Sequence, residues 1–221
     1  MRFQDEIYLS LIAVLGGIST YFALVISPAE VEMGELVRIL YFHLPTAIIC
    51  YASLSLSLIA GVAFLWKKIE KFDYLSSSAA MIGIVYGAVT LITGAIWAKV
   101  TWGVYWNWDP RETTTLILWL GYIGYFLLRM SIDNVERRAS ISAAYNILIF
   151  LTVPLSYLSF ILWPSLHPRL TSDGGLGLTT IMIETLLMNI IVGVLVYIWL
   201  IRTAYTTALK NSLINNKEKE I

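Results

Sequence analysis

The sequence predicts an all-α polytopic membrane protein with six transmembrane helices, and three observations carry that reading. Of the 221 residues, 58% are hydrophobic and 14% charged, whereas soluble domains average roughly half apolar and a quarter charged. Six stretches approach the ~20 mostly apolar residues that a helix needs to cross a ~30 Å hydrocarbon layer. Lys and Arg are also distributed unevenly over the connections between these stretches. The spans use nearly all of the chain, so residues 1–221 are expected to form a single integral membrane domain.

The spans read, in order, as Ile7 to Ile26, Leu44 to Trp66, Ala79 to Ala98, Thr113 to Leu128, Ile141 to Leu162 and Leu178 to Ile201. The first is longer than the apolar core of a secretory signal. Asp5 and Glu6 precede it and no small-residue cleavage site follows, so it is expected to stay. Gly83 and Gly87 in the third form a GxxxG that permits close helix approach. Pro154 should kink the fifth, because proline removes a backbone donor and crowds the preceding turn. Ser76 to Ser78 and the glycine-rich stretch 172–177 read as low-complexity connections.

Six crossings put both termini on one side. That side carries Arg2, Lys67, Lys68, Lys71, Arg129, Arg137, Arg138, Arg202, Lys210, Lys217 and Lys219, against Arg38, Lys99, Arg111 and Arg169 on the other. The positive-inside rule then places both termini in the cytoplasm and connections 27–43, 99–112 and 163–177 outside, as for a multi-pass protein of the cell membrane. Trp97 and Trp163 fall at outer ends, and Trp66 and Trp199 at inner ends, which is the ordinary aromatic-belt position. Fifteen basic residues balance fifteen acidic ones, so no basic stripe exists to hold nucleic acid. The single cysteine, Cys50, excludes an intramolecular disulfide, a CxxC pair and a thiolate metal cluster. No glycine-rich loop carries the lysine of a nucleotide-binding P-loop.

The outer connection 99–112 is the informative one. It contains Trp102, Trp106 and Trp108, three of the eight tryptophans, together with Gly103, Tyr105 and Asp109. Asp109, Pro110 and Glu112 suit an N-cap, a first helical position and a capping-box partner, so they have an ordinary role in starting the fourth span. The tryptophans exceed what belt anchoring needs. Trp102, Tyr105 and Trp106 would share one face if the stretch is helical, giving a platform for a flat aromatic ligand.

The chain has two histidines, His43 and His167, both on the side of the tryptophan loop. A lone interfacial histidine is usually just a polar group at the lipid boundary. Two that converge on an aromatic shelf have the makings of the two axial ligands of a haem iron. His43, read as lying near a helix N-terminus, would be held neutral by the helix dipole. Haem carries two propionates, and the outer cations Arg38, Lys99, Arg111 and Arg169 supply candidate partners, with lipid headgroups as the alternative role. Two histidines without cysteine make a poor zinc site. Glu184 and Asn189 within the sixth span receive no role.

The segment from Trp102 through Trp106, Trp108 and Asp109 to Thr113 resembles the tryptophan-rich WWD signature of haem-handling proteins of cytochrome c biogenesis. The stretch from Arg38 through His43 to Pro45 resembles the segment with the first flanking histidine, and Trp163 to His167 the second. Length and span number are similar to the CcmC family, the C component of the cytochrome c maturation system. The resemblance implies a non-covalent b-type haem held outside the membrane, with His43 and His167 as axial ligands. Trp102, Trp106, Trp108 and Asp109 then contact haem and chaperone, and Arg38 and Arg111 stand among the candidate propionate partners. It further implies transfer to the periplasmic haem chaperone CcmE and association with the ABC transporter proteins CcmA and CcmB and the small membrane subunit CcmD. Pro110 and Glu112 look more like the larger sibling synthases CcmF and CcsA, but those have additional intramembrane histidines that this chain lacks. The alternatives are therefore a subunit of a cytochrome c synthase, a small-solute permease using Glu184 and Asn189, and an electron-transferring cytochrome b.

Overall fold

A computed structural model describes residues 3–31, 33–167 and 177–219. All regular elements among them are helices: α1 (Phe3–Tyr21), continued by a π-helical turn at Phe22–Ile26, then α2 (Val37–Lys67), α3 (Glu70–Trp102), α4 (Pro110–Met130), α5 (Val135–Phe150), α6 (Thr152–Leu162) and α7 (Thr180–Lys219). Six helical units, with α5 and α6 counted as one, are long and apolar enough to cross a membrane. By length and composition the bundle is that of a multi-pass membrane protein.

Several boundaries differ from the sequence reading, each for a physical reason. Helix α2 begins at Val37 rather than Leu44, because Arg38 pairs one turn back with Glu35 and donates to the Ala23 carbonyl at 2.9 Å, so its charge does not interrupt the helix. His43 therefore lies inside α2 and not ahead of it. Pro45 sits within the same helix, and the Thr46 hydroxyl donates to the His43 carbonyl at 2.8 Å. Residues 76–78 are helical and not a low-complexity connection. Glu70 and Asp73 start α3 with the negative charge that a helix N-terminus favours, and buried Ser76 bonds back to α2. Pro154 does more than kink the fifth span: the helix is interrupted at Leu151, because proline cannot donate to the carbonyl four residues earlier.

The closest packing joins α2 to α3. A Cβ at Gly83 would lie 2.4 Å from the Leu54 Cδ2, so only glycine lets these two helices approach as they do. Helix α4 packs on α3, α5 and α6, while α1 lies on α7. The Tyr8 hydroxyl donates to the Leu195 carbonyl at 3.0 Å, and Asn189 donates across to the Ser19 carbonyl at 3.4 Å. Asn189 is thus committed to helix packing, and Glu184 faces outward from α7.

The bundle has two unlike ends. At one, connections 67–70 and 130–135 and both terminal helix ends gather, and Arg202 reaches Asp5 at 3.8 Å. Here Arg129 at the end of α4 grips Asp73 of α3 with two parallel bonds of 2.6 and 2.8 Å. Beside this pair lies a fully buried polar knot in which Tyr122 donates to Asn146 at 2.9 Å and Asn146 donates to Ser57 at 2.8 Å. At the other end, Met33, Trp106 and His167 from the connections help to line a cavity.

Candidate functional site

The cavity occupies about 280 Å³, close to the ~300 Å³ at which small-molecule sites begin. Helix α2 contributes His43, Leu44 and Tyr51. Helix α3 contributes Thr90, Gly94, Trp97 and Trp102, and α6 contributes Tyr157, Phe160 and Ile161. Trp106, Arg111, Glu112 and His167 also line it, so both histidines of the chain face one space. Tyr157 and Ile161 are 55% and 60% exposed while lining it, which means that the cavity opens on the flank of the bundle.

His43 projects from α2 onto α3. Its Nδ1 lies 2.9 Å from the Thr93 Oγ1, and its Cε1 lies over Gly94, where a Cβ would come within 3.3 Å. The second histidine comes from a segment without regular structure, and its position depends on long-range bonds. Asp109, buried at the start of α4, caps that helix by accepting from the Arg111 amide at 2.9 Å. The same carboxylate accepts from the Ser165 hydroxyl at 2.8 and 2.9 Å and from the Leu166 amide at 2.8 Å. Ser165 Oγ in turn accepts from the His167 amide at 3.0 Å. One carboxylate thereby fixes both the helix that bears Arg111 and the strap that bears His167.

The aromatic shelf is built differently from the sequence expectation. Trp102, Tyr105 and Trp106 do not share a helical face, because α3 ends at Trp102 and Gly103 turns the chain with φ of 80°, a left-handed conformation that suits glycine. The irregular part is therefore 103–109. Trp97, expected to be only a belt anchor, lines the cavity: it meets Trp102 edge to face at 5.3 Å and His167 at 6.4 Å. Thr90, Gly94 and Trp97 follow i, i+4, i+7 spacing, a signal that would have placed Trp97 on the site face. Trp106 lines the cavity, and Trp108 stacks edge to face on it at 5.8 Å while remaining 71% exposed outside. Trp108 has φ of 63°, in the left-handed region, next to a turn in which the Asp109 amide donates to the Asn107 side chain at 2.9 Å.

The cations separate clearly. Arg111 lines the cavity with its guanidinium 4.9 Å above the Phe160 ring, and among the described residues it forms no ion pair with a carboxylate. Arg38 is engaged by Glu35 and the Ala23 carbonyl and does not line the cavity. Lys99 donates to the Gly103 carbonyl at 2.8 Å and lies over Tyr105, closing the end of α3. Arg169 lies outside the described residues. Burial, then the positive charge of Arg111 and the proximity of His43, push the His167 imidazole down to about 3. It is therefore neutral at physiological pH, the form that ligates metal. Glu112 accepts from the Asn107 amide at 3.2 Å through one oxygen, while the other is buried in the cavity wall without a hydrogen-bond partner.

The donor set suits a flat, largely apolar metal complex with acidic edges. It offers two imidazoles for axial positions, indole and tyrosine faces for the ring, and one uncommitted guanidinium for a carboxylate. No cluster of three or more His, Cys, Asp or Glu gathers among the described residues to form a protein-only metal centre.

The family model described as heme exporter protein C matches residues 4–220. A heme exporter protein C of Haemophilus influenzae is 30% identical over 206 residues, covering 91% of this chain and 82% of its own. That of Bradyrhizobium diazoefficiens is 27% identical over 198 residues, covering 89% and 74%. That of Rhodobacter capsulatus is 33% identical over 137 residues, covering 62% of this chain and 57% of its own length.

Proposed function

The chain belongs to the heme exporter protein C family, and from that premise we propose that it binds haem non-covalently between His43 and His167 as cargo of cytochrome c biogenesis. The observation that carries this reading is the convergence of the two histidines, from α2 and from the strap after α6, on one indole-walled cavity.

Haem supplies an iron with two open axial positions and two propionates. The protein's part is to hold and orient it without making or breaking a bond in the ring. His43 presents its ring from a rigid helix. His167 is neutral because its imidazole is shielded from water and faces Arg111, and Asp109 holds its strap in place. Trp97, Trp102 and Trp106 exclude water and offer their faces to the macrocycle. Arg111 takes a propionate, since it lines the cavity and forms no ion pair among the described residues. Arg38, next to the cavity-lining Ile39 but held by Glu35 and the Ala23 carbonyl, is the second candidate for a propionate.

Trp108, exposed beside Asp109, is the group of the loop that meets a receiving protein. That protein is a periplasmic haem chaperone of the CcmE kind, with CcmA, CcmB and CcmD as the further partners. Transfer requires exchange of one imidazole. His167 is the one that leaves, because a strap held by a single carboxylate is displaced more easily than a helix. The cavity faces outward and both termini are cytoplasmic, since Lys67, Lys68, Lys71, Arg137 and Arg138 all sit at the opposite end.

The test is a visible spectrum of the purified protein in detergent, before and after haem is added. The expected result is a low-spin, six-coordinate species that is lost in either His43→Ala or His167→Ala. The holo-protein should also surrender its haem to an apo-chaperone, and Trp108→Ala should slow that step without lowering haem content. A folded protein that stays colourless with excess haem contradicts the proposal.

A further inference from the structure

Thr93 lies behind the His43 ring and is not among the residues that line the cavity. A hydroxyl has one proton to give. The Thr93 Oγ1 lies 2.8 Å from the Val89 carbonyl and 3.2 Å from the Thr90 carbonyl, both on its own helix and both able only to accept, so its proton is committed to the backbone. Toward His43 the hydroxyl can therefore only accept, at 2.9 Å from Nδ1. One residue further along α3, Gly94 leaves the space in which the ring lies.

We infer that Thr93 is a positioning residue that fixes His43 as its Nδ1–H tautomer and so keeps the Nε2 lone pair free for a ligand in the cavity. The inference deepens the haem reading and rests on it for the identity of that ligand. A neutral imidazole offers a metal only the nitrogen that lacks hydrogen, and the partner of the other nitrogen decides which one that is. Without the hydroxyl, the ring would be free to turn its lone pair toward α3 and its N–H toward the cavity, where it could not ligate.

Nitrogen NMR of the haem-free protein tests this independently of cargo, since there are only two histidines to assign. His43 should appear as the Nδ1–H form. Thr93→Val, which keeps the shape and removes the hydroxyl, should shift it toward the Nε2–H form or a mixture, and Thr93→Ser should restore it. With haem added, Thr93→Val should bind about 10- to 100-fold more weakly, the usual cost of losing a group that orients a ligand, and should show an altered low-spin signal. A wild-type His43 in the Nε2–H form overturns the inference, as does a folded Thr93→Val whose tautomer is unchanged. Should Thr93→Val fail to fold, the wild-type resonance still decides. The expected tautomer in a protein that never binds haem would instead remove the haem reading and leave the positioning role standing.

Discussion

Helix α4 carries an arginine at each end, and the two are used in opposite ways. Arg129 is enclosed with Asp73 in a two-bond pair, beside tyrosines, serines and an asparagine that satisfy one another. Arg111 lies over a phenylalanine ring at the edge of a cavity, and no carboxylate among the described residues pairs with it. Burying a charge without a partner is costly in apolar surroundings. The first end of the bundle meets that cost within the protein, and at the second the proposed partner is a haem propionate. On that proposal the same residue type marks a structural lock at one end and a binding site at the other.

The sharpest way to break this contrast is to remove one partner at each end. Asp73→Ala should strand the Arg129 charge and lower stability by about 3–5 kcal/mol, the range for breaking a buried pair, seen as a lower melting temperature and less folded protein. Arg111→Gln should leave the melting temperature of the haem-free protein nearly unchanged while weakening haem binding. Equal losses of folding in the two variants would abolish the distinction.

A smaller but more specific effect is expected at Asp109. Asp109→Asn retains a side-chain oxygen for the helix cap but has one acceptor fewer for Ser165 and Leu166. Haem affinity should fall about tenfold, as for other groups that orient a metal ligand, with faster loss of the His167 bond and little change in helix content. Circular dichroism and the rate of haem release separate these. Among the tryptophans, Trp97→Ala should reduce haem retention more than Trp108→Ala, because Trp97 touches His167 and Trp108 stands outside the cavity.

The smallest effect is the pH response of His167. Its folded-state value of about 3 lies below its ordinary 6.5, so between these limits the unfolded chain binds a proton that the folded one does not. From this group stability rises with pH across that window, is at full value above 6.5, and declines as the pH falls toward 3. Haem occupancy should accordingly be flat between about pH 5 and 8, because the imidazole is already neutral there. A steep loss of haem between pH 7 and about 6 would indicate an exposed, ordinary histidine.

Much of this architecture was legible in the chain. Apolar runs of membrane length mark the six spans, because a bilayer demands them whatever the packing. His43, His167 and the tryptophan loop stand out because each is rare or dense for its position. Less legible were the features that depend on which side of a helix faces what. Helices in lipid are apolar all round, so Trp97 looked like any interfacial anchor until α3 was seen to turn it toward His167. Arg38, Lys99 and Arg111 are alike in sequence, and only Glu35 for the first and the end of α3 for the second show that those two are committed. The clasp of Asp109 on Ser165 and Leu166 joins segments far apart in the chain, which no local pattern reveals.

The most direct measurement is electron paramagnetic resonance of the ferric haem-loaded protein, with ¹⁵N-labelled histidine used to count the imidazole nitrogens on the iron. Two are expected in the wild type, and one in each of His43→Ala and His167→Ala. A wild-type iron with one or no imidazole, or the same count in all three proteins, would contradict the account.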